Sequence, residues 1–326
     1  MREVSIIGIG ITKFGELWDK SLRQLGLETG LAAISDAGIT SKDIDALYIG
    51  NMAAGSTLQQ EHVSALMADY CGLASQNIPA TRVEAASASG GLAVRQAYMA
   101  IAGGFIDIAV VGGAEKMTDV SDSESSYTVS MGSDEQWESK AGATFASLHA
   151  MMTQSHMAEY GTTREELSAV SEKNHFHASM NPMAQFPFAI SAEAVSNSGM
   201  VSSPLRMLDC APNSDGAAAI VLCATEKAKK YKKKSIKIIG SGQASDTLSL
   251  HHRKHLNQMP AIRMAAKRAF KSCGKKASDL DLIEIHDNFT ISEIIALEEI
   301  GIFKRGKAAQ SILKGETKLG GKIPIN

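Results

Sequence analysis

Two stretches of this chain, far apart, can be laid on one another without a gap. AAISDAGITSKDIDALYIGN at 32–51 aligns with RAFKSCGKKASDLDLIEIHD at 268–287. Ala33, Gly38, Asp43, Asp45 and Ile49 fall on Ala269, Gly274, Asp279, Asp281 and Ile285. Upstream, SIIGIG at 5–10 matches KIIGSG at 237–242. The shared order of strand, helix, glycine stop, Asp-x-Asp and strand reads as a duplicated α/β unit. Beyond it the copies diverge. DALYIGN is followed by a helix, the TRVEA strand, a second helix and the AVVGG strand. LIEIHDN is followed by a helix (TISEIIALEEIG), a linker and KIPIN, the equivalent of TRVEA. The second copy is therefore expected to be incomplete.

The first copy alternates in a way that predicts a mostly parallel sheet with helices on its faces. Val4–Ile9 is a short strand, about Ser21–Ala37 an amphipathic helix stopped by Gly38, Ile44–Ile49 a strand, 50–75 helical, and 105–117 a buried strand. Gly8 and Gly10 alone make a poor dinucleotide fingerprint, because Lys13 stands where a third glycine is needed. Between strand and helix lies VEAASASGG, Val83 to Gly91. Its small residues let a backbone or a flat ligand approach closely, and the following helix points free N–H groups at the turn. Ser87 or Ser89 on such an elbow would sit beside an oxyanion site. Taken alone, a packed, small-residue helix start is the more ordinary reading.

From 118 to 200 the texture is polar and turn-rich, interrupted by one expected helix at about 143–160, and reads as a lid or binding insertion. Asp215–Ala224 restores a buried strand, with Asp215-Gly216 as its opening turn. The resulting division is 1–117 for the N-terminal half, 118–210 for the insertion, 211–224 for the closing strand and 225–326 for the C-terminal half. A length of 326 residues allows one large domain or two, and a formal net charge of −2 argues against a nucleic-acid partner. The basic run 227–234 reads as a solvated helix end and linker. No apolar stretch is long enough to span a membrane, and MREVSIIGIGI is no signal peptide. Cys71, Cys210, Cys223 and Cys273 show no metal spacing, so a reduced, cytoplasmic protein without a metal is expected.

VEAASASGG, VVGGAEKM and IEIHDNFT together make the chain similar to the thiolases, above all archaeal acetyl-CoA acetyltransferases and sterol-carrier-protein thiolases. The likeness runs from IIGIGITKFGEL through PLRMLDCAPNSDGAAA to GETKLGGKIPIN. The resemblance implies an α/β thiolase fold of two βαβαβαββ halves in a five-layer αβαβα stack, which agrees with the repeat. It implies acyl transfer between coenzyme A thioesters: acetoacetyl-CoA from two acetyl-CoA, or the reverse thiolysis. No cofactor is implied beyond these thioester substrates.

The family's elbow cysteine falls on Ser87, and the histidine of its HDxF motif, which helps bind a thioester oxygen, on His286. Phe289 is implied as apolar wall, with Gly90 and His175 as further substrate-binding positions; His175 and His177 resemble the family's KNH loop near the pantetheine channel. The family's Gly-His-Pro and Cys-x-Gly motifs, base and second cysteine, are not in this sequence. A thiol is partly ionised at neutral pH, whereas a serine hydroxyl needs an adjacent base. Impaired turnover, or dependence on a separate chain carrying those motifs, is therefore expected. The alternative is a non-catalytic CoA-binding subunit. The resemblance implies a homodimer, with HMG-CoA synthase and a small OB-fold CoA-binding protein as partners.

The remaining candidates have plainer readings. His251, His252 and His255 read as solvated loop histidines, Cys210 as a small buried cysteine, and Asn288 is given no role. A serine hydrolase is disfavoured because Ala85 and Ser89 occupy the glycine positions of GxSxG.

Overall fold

In the computed structural model, which describes residues 1–232 and 234–326, eight strands form. They are β1 (Val4–Ile11), β2 (Ala46–Gly50), β3 (Ala80–Val83), β4 (Ile108–Glu115), β5 (Met200–Ser202), β6 (Leu205–Arg206), β7 (Gly216–Ala224) and β8 (Ile236–Ile238). The helices are α1 (Leu22–Ala37), α2 (Ala54–Thr57), α3 (Val63–Tyr70), α4 (Ser89–Ala102), α5 (Asp122–Ser130) and α6 (Phe145–Tyr160). They continue with α7 (Arg164–Ala178), α8 (Ala192–Asn197), α9 (Thr225–Ala228), α10 (Pro260–Cys273), α11 (Thr290–Ile300) and α12 (Ala308–Leu313). Among the described residues no helix is long and apolar enough to cross a membrane. Of the basic run, Lys233 lies outside the described residues; Lys227 and Lys232 pair with Asp107 and Asp36.

Two compact units emerge, Met1–Thr128 with Asn213–Ile239, and Val129–Pro212 with Gly240–Asn326. These limits differ from those read in the sequence. Most of 118–210 belongs to the second unit, and 225–239 to the first, because β8 pairs antiparallel with β1 (Val4 opposite Ile238, Ile6 opposite Ile236).

The first unit is built on one six-stranded sheet, order β3-β2-β4-β7-β1-β8. It is more mixed than expected: only β3–β2 and β2–β4 pair in parallel, while β7 runs antiparallel to β4 and β1. One face packs on α1 and α3 through Leu25, Ala33, Leu47, Met67 and Val110; the other carries α4 through Ala93, Ala97 and Ile101. The α1 boundaries follow local chemistry. Ser21 accepts from the Gln24 N–H, Gln24 returns a bond to the Ser21 N–H, and Gly38 ends the helix at φ 67°. The stretch 50–75 is not one helix but α2, α3 and a 3-10 turn.

Each unit repeats the same packing device, which gives the sequence repeat a physical basis. A Cβ on Gly8 would fall 2.3 Å from the Ala33 carbonyl oxygen, and one on Gly10 2.2 Å from that of Thr29. In the second unit a Cβ on Gly240 would fall 2.7 Å from the Ala269 oxygen, and one on Gly242 1.9 Å from that of Ala265. Four glycines thus let an extended segment lie against its helix backbone. The strand partners repeat as well: the Leu47 N–H donates to the Pro79 oxygen at 2.9 Å, the Ile283 N–H to the Pro324 oxygen at 3.1 Å.

The second unit is centred on α11, which is buried almost throughout; Ile291, Ile294, Ile295 and Leu297 are at most 1% exposed. Side chains of this size contribute about 1.5–3 kcal/mol each when fully buried. Around them pack Leu148, Met152, Leu167, Val170 and Ile312. The segment 118–200, expected to hold one helix, holds α5, α6, α7 and α8. The Thr163/Glu166 capping box marks the start of α7, but its buried face carries Ser168, Ser171 and Lys173. Those polar groups break the apolar period that a sequence reading depends on.

Candidate active site

In the first unit, β3 runs into the elbow and α4. Ala86 has φ 47°, in the left-handed region that a side chain disfavours. Ser89 holds that turn: its Oγ accepts from the Ala85 N–H at 2.8 Å and donates to the Ala86 oxygen at 2.6 Å. Ser89 is 5% exposed and fully used, so it is no nucleophile. Ser87 is exposed, and its hydroxyl has no hydrogen-bond partner among the described residues. Ala88 precedes α4 without a side-chain cap, which leaves first-turn N–H groups free to meet an anion. Gly50 rather than Gly90 serves close approach: a Cβ on Gly50 would lie 2.6 Å from the Gly90 nitrogen, while a Cβ on Gly90 itself would meet open space.

Two carboxylates tie together segments of the first unit that are distant in sequence. Glu115 accepts from the Met52 and Ala53 N–H groups at 3.1 and 2.8 Å and from the Asn51 amide. Burial raises its pKa, and those hydrogen bonds and Arg82 oppose the rise. Asp215, read as a turn residue, is a hub. It takes the fully buried Lys116 ammonium at 2.6 Å, the Thr118 hydroxyl at 2.6 Å and the N–H groups of Leu17, Met117 and Thr118. Burial would raise the Asp215 pKa, but these donors lower it overall.

In the second unit, LIEI at 282–285, read as a strand, forms only an isolated bridge of Ile283 with Ile325, and the HDNF segment after it is loop. Its backbone is held by the Ala211 N–H donating to the Asn288 oxygen at 2.9 Å and by an isolated bridge of Phe289 with Cys210. Upstream, the Asn326 side chain pairs with the Ile285 backbone, accepting at 2.6 Å and donating at 3.2 Å. His286 stays exposed, with no side-chain hydrogen bond among the described residues. Desolvation lowers its pKa and Asp287 opposes this. An N–H of this imidazole can donate a hydrogen bond to a thioester oxygen.

Phe289 is 6% exposed and forms an apolar wall with Phe145. Stacked on it at 4.2 Å is His149, which the sequence reading missed. His149 Nδ1 donates to the Phe145 oxygen at 2.9 Å, and burial, with Arg253 and His286 adding to it, pushes its pKa down to about 4. A histidine in a helix with no motif around it gave no signal; only Phe289, far along the chain, makes it notable.

His175 and His177 lie on helix α7 rather than on a loop. His175 packs against Phe186 and Phe188, with its Nδ1 3.2 Å from the Phe188 oxygen. His177 spans the Leu319 N–H and the Asn326 oxygen. His286 and Phe289 are thus brought together in the second unit and Ser87 and Gly90 in the first; His175 makes none of their contacts. Cys210 does not replace a missing thiol, since burial and Asp209 push its pKa up to about 11. Among the described residues no cluster could hold a metal ion.

Comparison with known proteins identifies the family. Residues 4–226 match the thiolase N-terminal domain and 242–326 the thiolase C-terminal domain-like family. An acetyl-CoA acetyltransferase of Methanothermobacter thermautotrophicus is 49% identical over 326 residues, 100% of this chain and 84% of that one. One of Methanocaldococcus jannaschii is 50% identical over 314 residues, 96% of this chain and 79% of that one. Among solved structures, a Ltp2-ChsH2(DUF35) aldolase superposes with a TM-score of 0.85 at 29% identity, covering 99% of this chain and 83% of that one. With family models matching residues 4–226 and 242–326 and relatives at about half identity along nearly all of its length, the chain belongs to the thiolase family.

Proposed function

We propose that this protein binds coenzyme A thioesters and is an acetyl-CoA C-acetyltransferase in which the acylation position carries a hydroxyl. The exposed Ser87 on its strained elbow, ahead of the free N–H groups of α4, carries this reading. Two archaeal acetyl-CoA acetyltransferases at about half identity support it. In the proposed step a nucleophile at this position attacks the thioester carbonyl, the C–S bond breaks, and coenzyme A leaves as thiolate and takes a proton. Within the second unit, His286 can donate to a thioester oxygen beside the apolar wall of Phe289 and Phe145. The Ser87 hydroxyl is hydrogen-bonded to no base among the described residues, so it attacks slowly. Four free cysteines fit a cytoplasmic setting.

Thiolysis of acetoacetyl-CoA by free coenzyme A tests this. Ser87→Cys is expected to turn over on the order of 10²-fold faster than the natural chain, because a thiol supplies its own nucleophilic anion. Equal rates for the two would remove Ser87 from the reaction.

A second reading is a subunit that binds a CoA ester for a partner chain, with HMG-CoA synthase and a DUF35-type protein as the partners. The idle Ser87 favours it, as does the Ltp2-ChsH2(DUF35) neighbour, itself a two-component assembly. Robust turnover by the isolated Ser87 chain would exclude this reading; turnover only after a partner is added would support it.

A further inference from the structure

Within the second unit, the HDNF loop is anchored on both sides by backbone. Ile285 is paired with the Asn326 side chain, and Asn288 and Phe289 are held by Ala211 and Cys210. His286 and Asp287 are left between these anchors. One side chain from outside the loop reaches them: the Asn174 amide on α7 donates to Asp287 Oδ2. Its second hydrogen goes to Glu293 Oε2 on α11 at 3.1 Å. Glu293 Oε1 in turn takes the fully buried Lys173 ammonium at 2.8 Å, and Lys173 also donates to the Ile325 oxygen at 2.9 Å.

Two carboxylates therefore share one amide, and one of them, Glu293, also takes a cation. The orientation of Asn174 is settled by chemistry, since a flipped amide would aim its oxygen at both carboxylates. In this orientation its buried Oδ1 has no partner among the described residues. An unmet buried acceptor is unfavourable, so what this site retains Asn174 for is its two donors.

We propose that Asn174 is a positioning residue for His286: by holding Asp287 toward Glu293 it keeps that carboxylate off the imidazole and fixes the turn that presents the ring. This rests on the reading of His286 as the thioester-oxygen donor. The charged and titratable groups around His286 are Asp287 on its own loop, His149 on α6 with Arg253 beyond it, and Glu293 and Lys173 across Asn174. Of these, Asp287 is the one that Asn174 restrains directly and that raises the basicity of His286. Without the amide, Asp287 is repelled by Glu293 and turns toward His286.

The test compares the natural chain with Asn174→Leu, close in size and without donors. Imidazole titrations are followed by NMR of histidine-labelled protein, and acetyl-CoA affinity by calorimetry. The His286 midpoint is expected to rise on the order of half a unit or more. Acetyl-CoA is expected to bind about tenfold more weakly. A merely structural role would lower stability and leave the His286 midpoint unmoved, which would overturn the proposal. If Asn174→Leu does not fold, Asn174→Ser, which keeps one donor, takes its place with the same direction expected. Should the natural chain bind no acetyl-CoA, the CoA reading fails, while the titration still decides the role of Asn174.

Discussion

At the scale of single residues, the chemistry turns on which polar groups are left without partners. The Ser87 hydroxyl makes no hydrogen bond among the described residues, whereas that of Ser89, two residues on, is consumed by the turn. His149 is the opposite case, a buried imidazole with one nitrogen committed to a carbonyl. Its depressed pKa has a thermodynamic consequence. Above about pH 6.5 the ring is neutral both folded and unfolded and contributes no pH dependence. As pH falls below that, the unfolded chain takes up a proton that the folded site, at about 4, refuses. Stability is therefore lost progressively between those two values. Urea denaturation at pH 7 and pH 5 is expected to show about 2 kcal/mol more loss for the natural chain than for His149→Phe. An equal pH response in both would mean that the ring titrates normally.

At the scale of elements, glycine spacing sets how closely segment and helix approach. Gly8 and Gly10 meet the backbone of α1 as Gly240 and Gly242 meet that of α10. Gly242→Ala should be destabilising by about 1–3 kcal/mol, because the methyl would meet backbone that cannot swing away. Gly199→Ala has nothing within 4 Å and should stay within about 0.5 kcal/mol of the natural chain. Thermal melts of the two variants check the contrast; similar losses would show that glycine flexibility, and not close approach, explains the pattern. The same scale shows what periodicity can and cannot reveal. α1 was legible from Ser21 to Gly38 because caps and apolar stripe agree. α7 was not, because it buries Lys173 and Ser171, whose partners Glu293 and the Leu208 carbonyl are supplied from far along the chain.

At the scale of the molecule, ligand binding couples to stability by mass action. If the chain takes CoA esters as proposed, acetyl-CoA at about 100 times its Kd should stabilise the fold by about 2.7 kcal/mol and raise the melting midpoint by several degrees. Acetate at the same concentration should not. No shift with acetyl-CoA would count against both proposed functions, since each requires the ester to bind.

The chain's own order of residues determined a good deal: the α/β repeat, the elbow at 83–91, the exposed candidate Ser87 and the HDNF motif. Each of these is local, a matter of small residues, caps and alternation within a few positions. Tertiary structure decided the rest. It reversed β7 within the sheet, took β8 into the first unit, turned Asp215 into a hub, stacked His149 on Phe289 and set Asn174 between two carboxylates. Every one of those joins residues distant in sequence. Their energy comes from satisfying buried charge and hydrogen-bonding groups, which no single stretch of sequence displays.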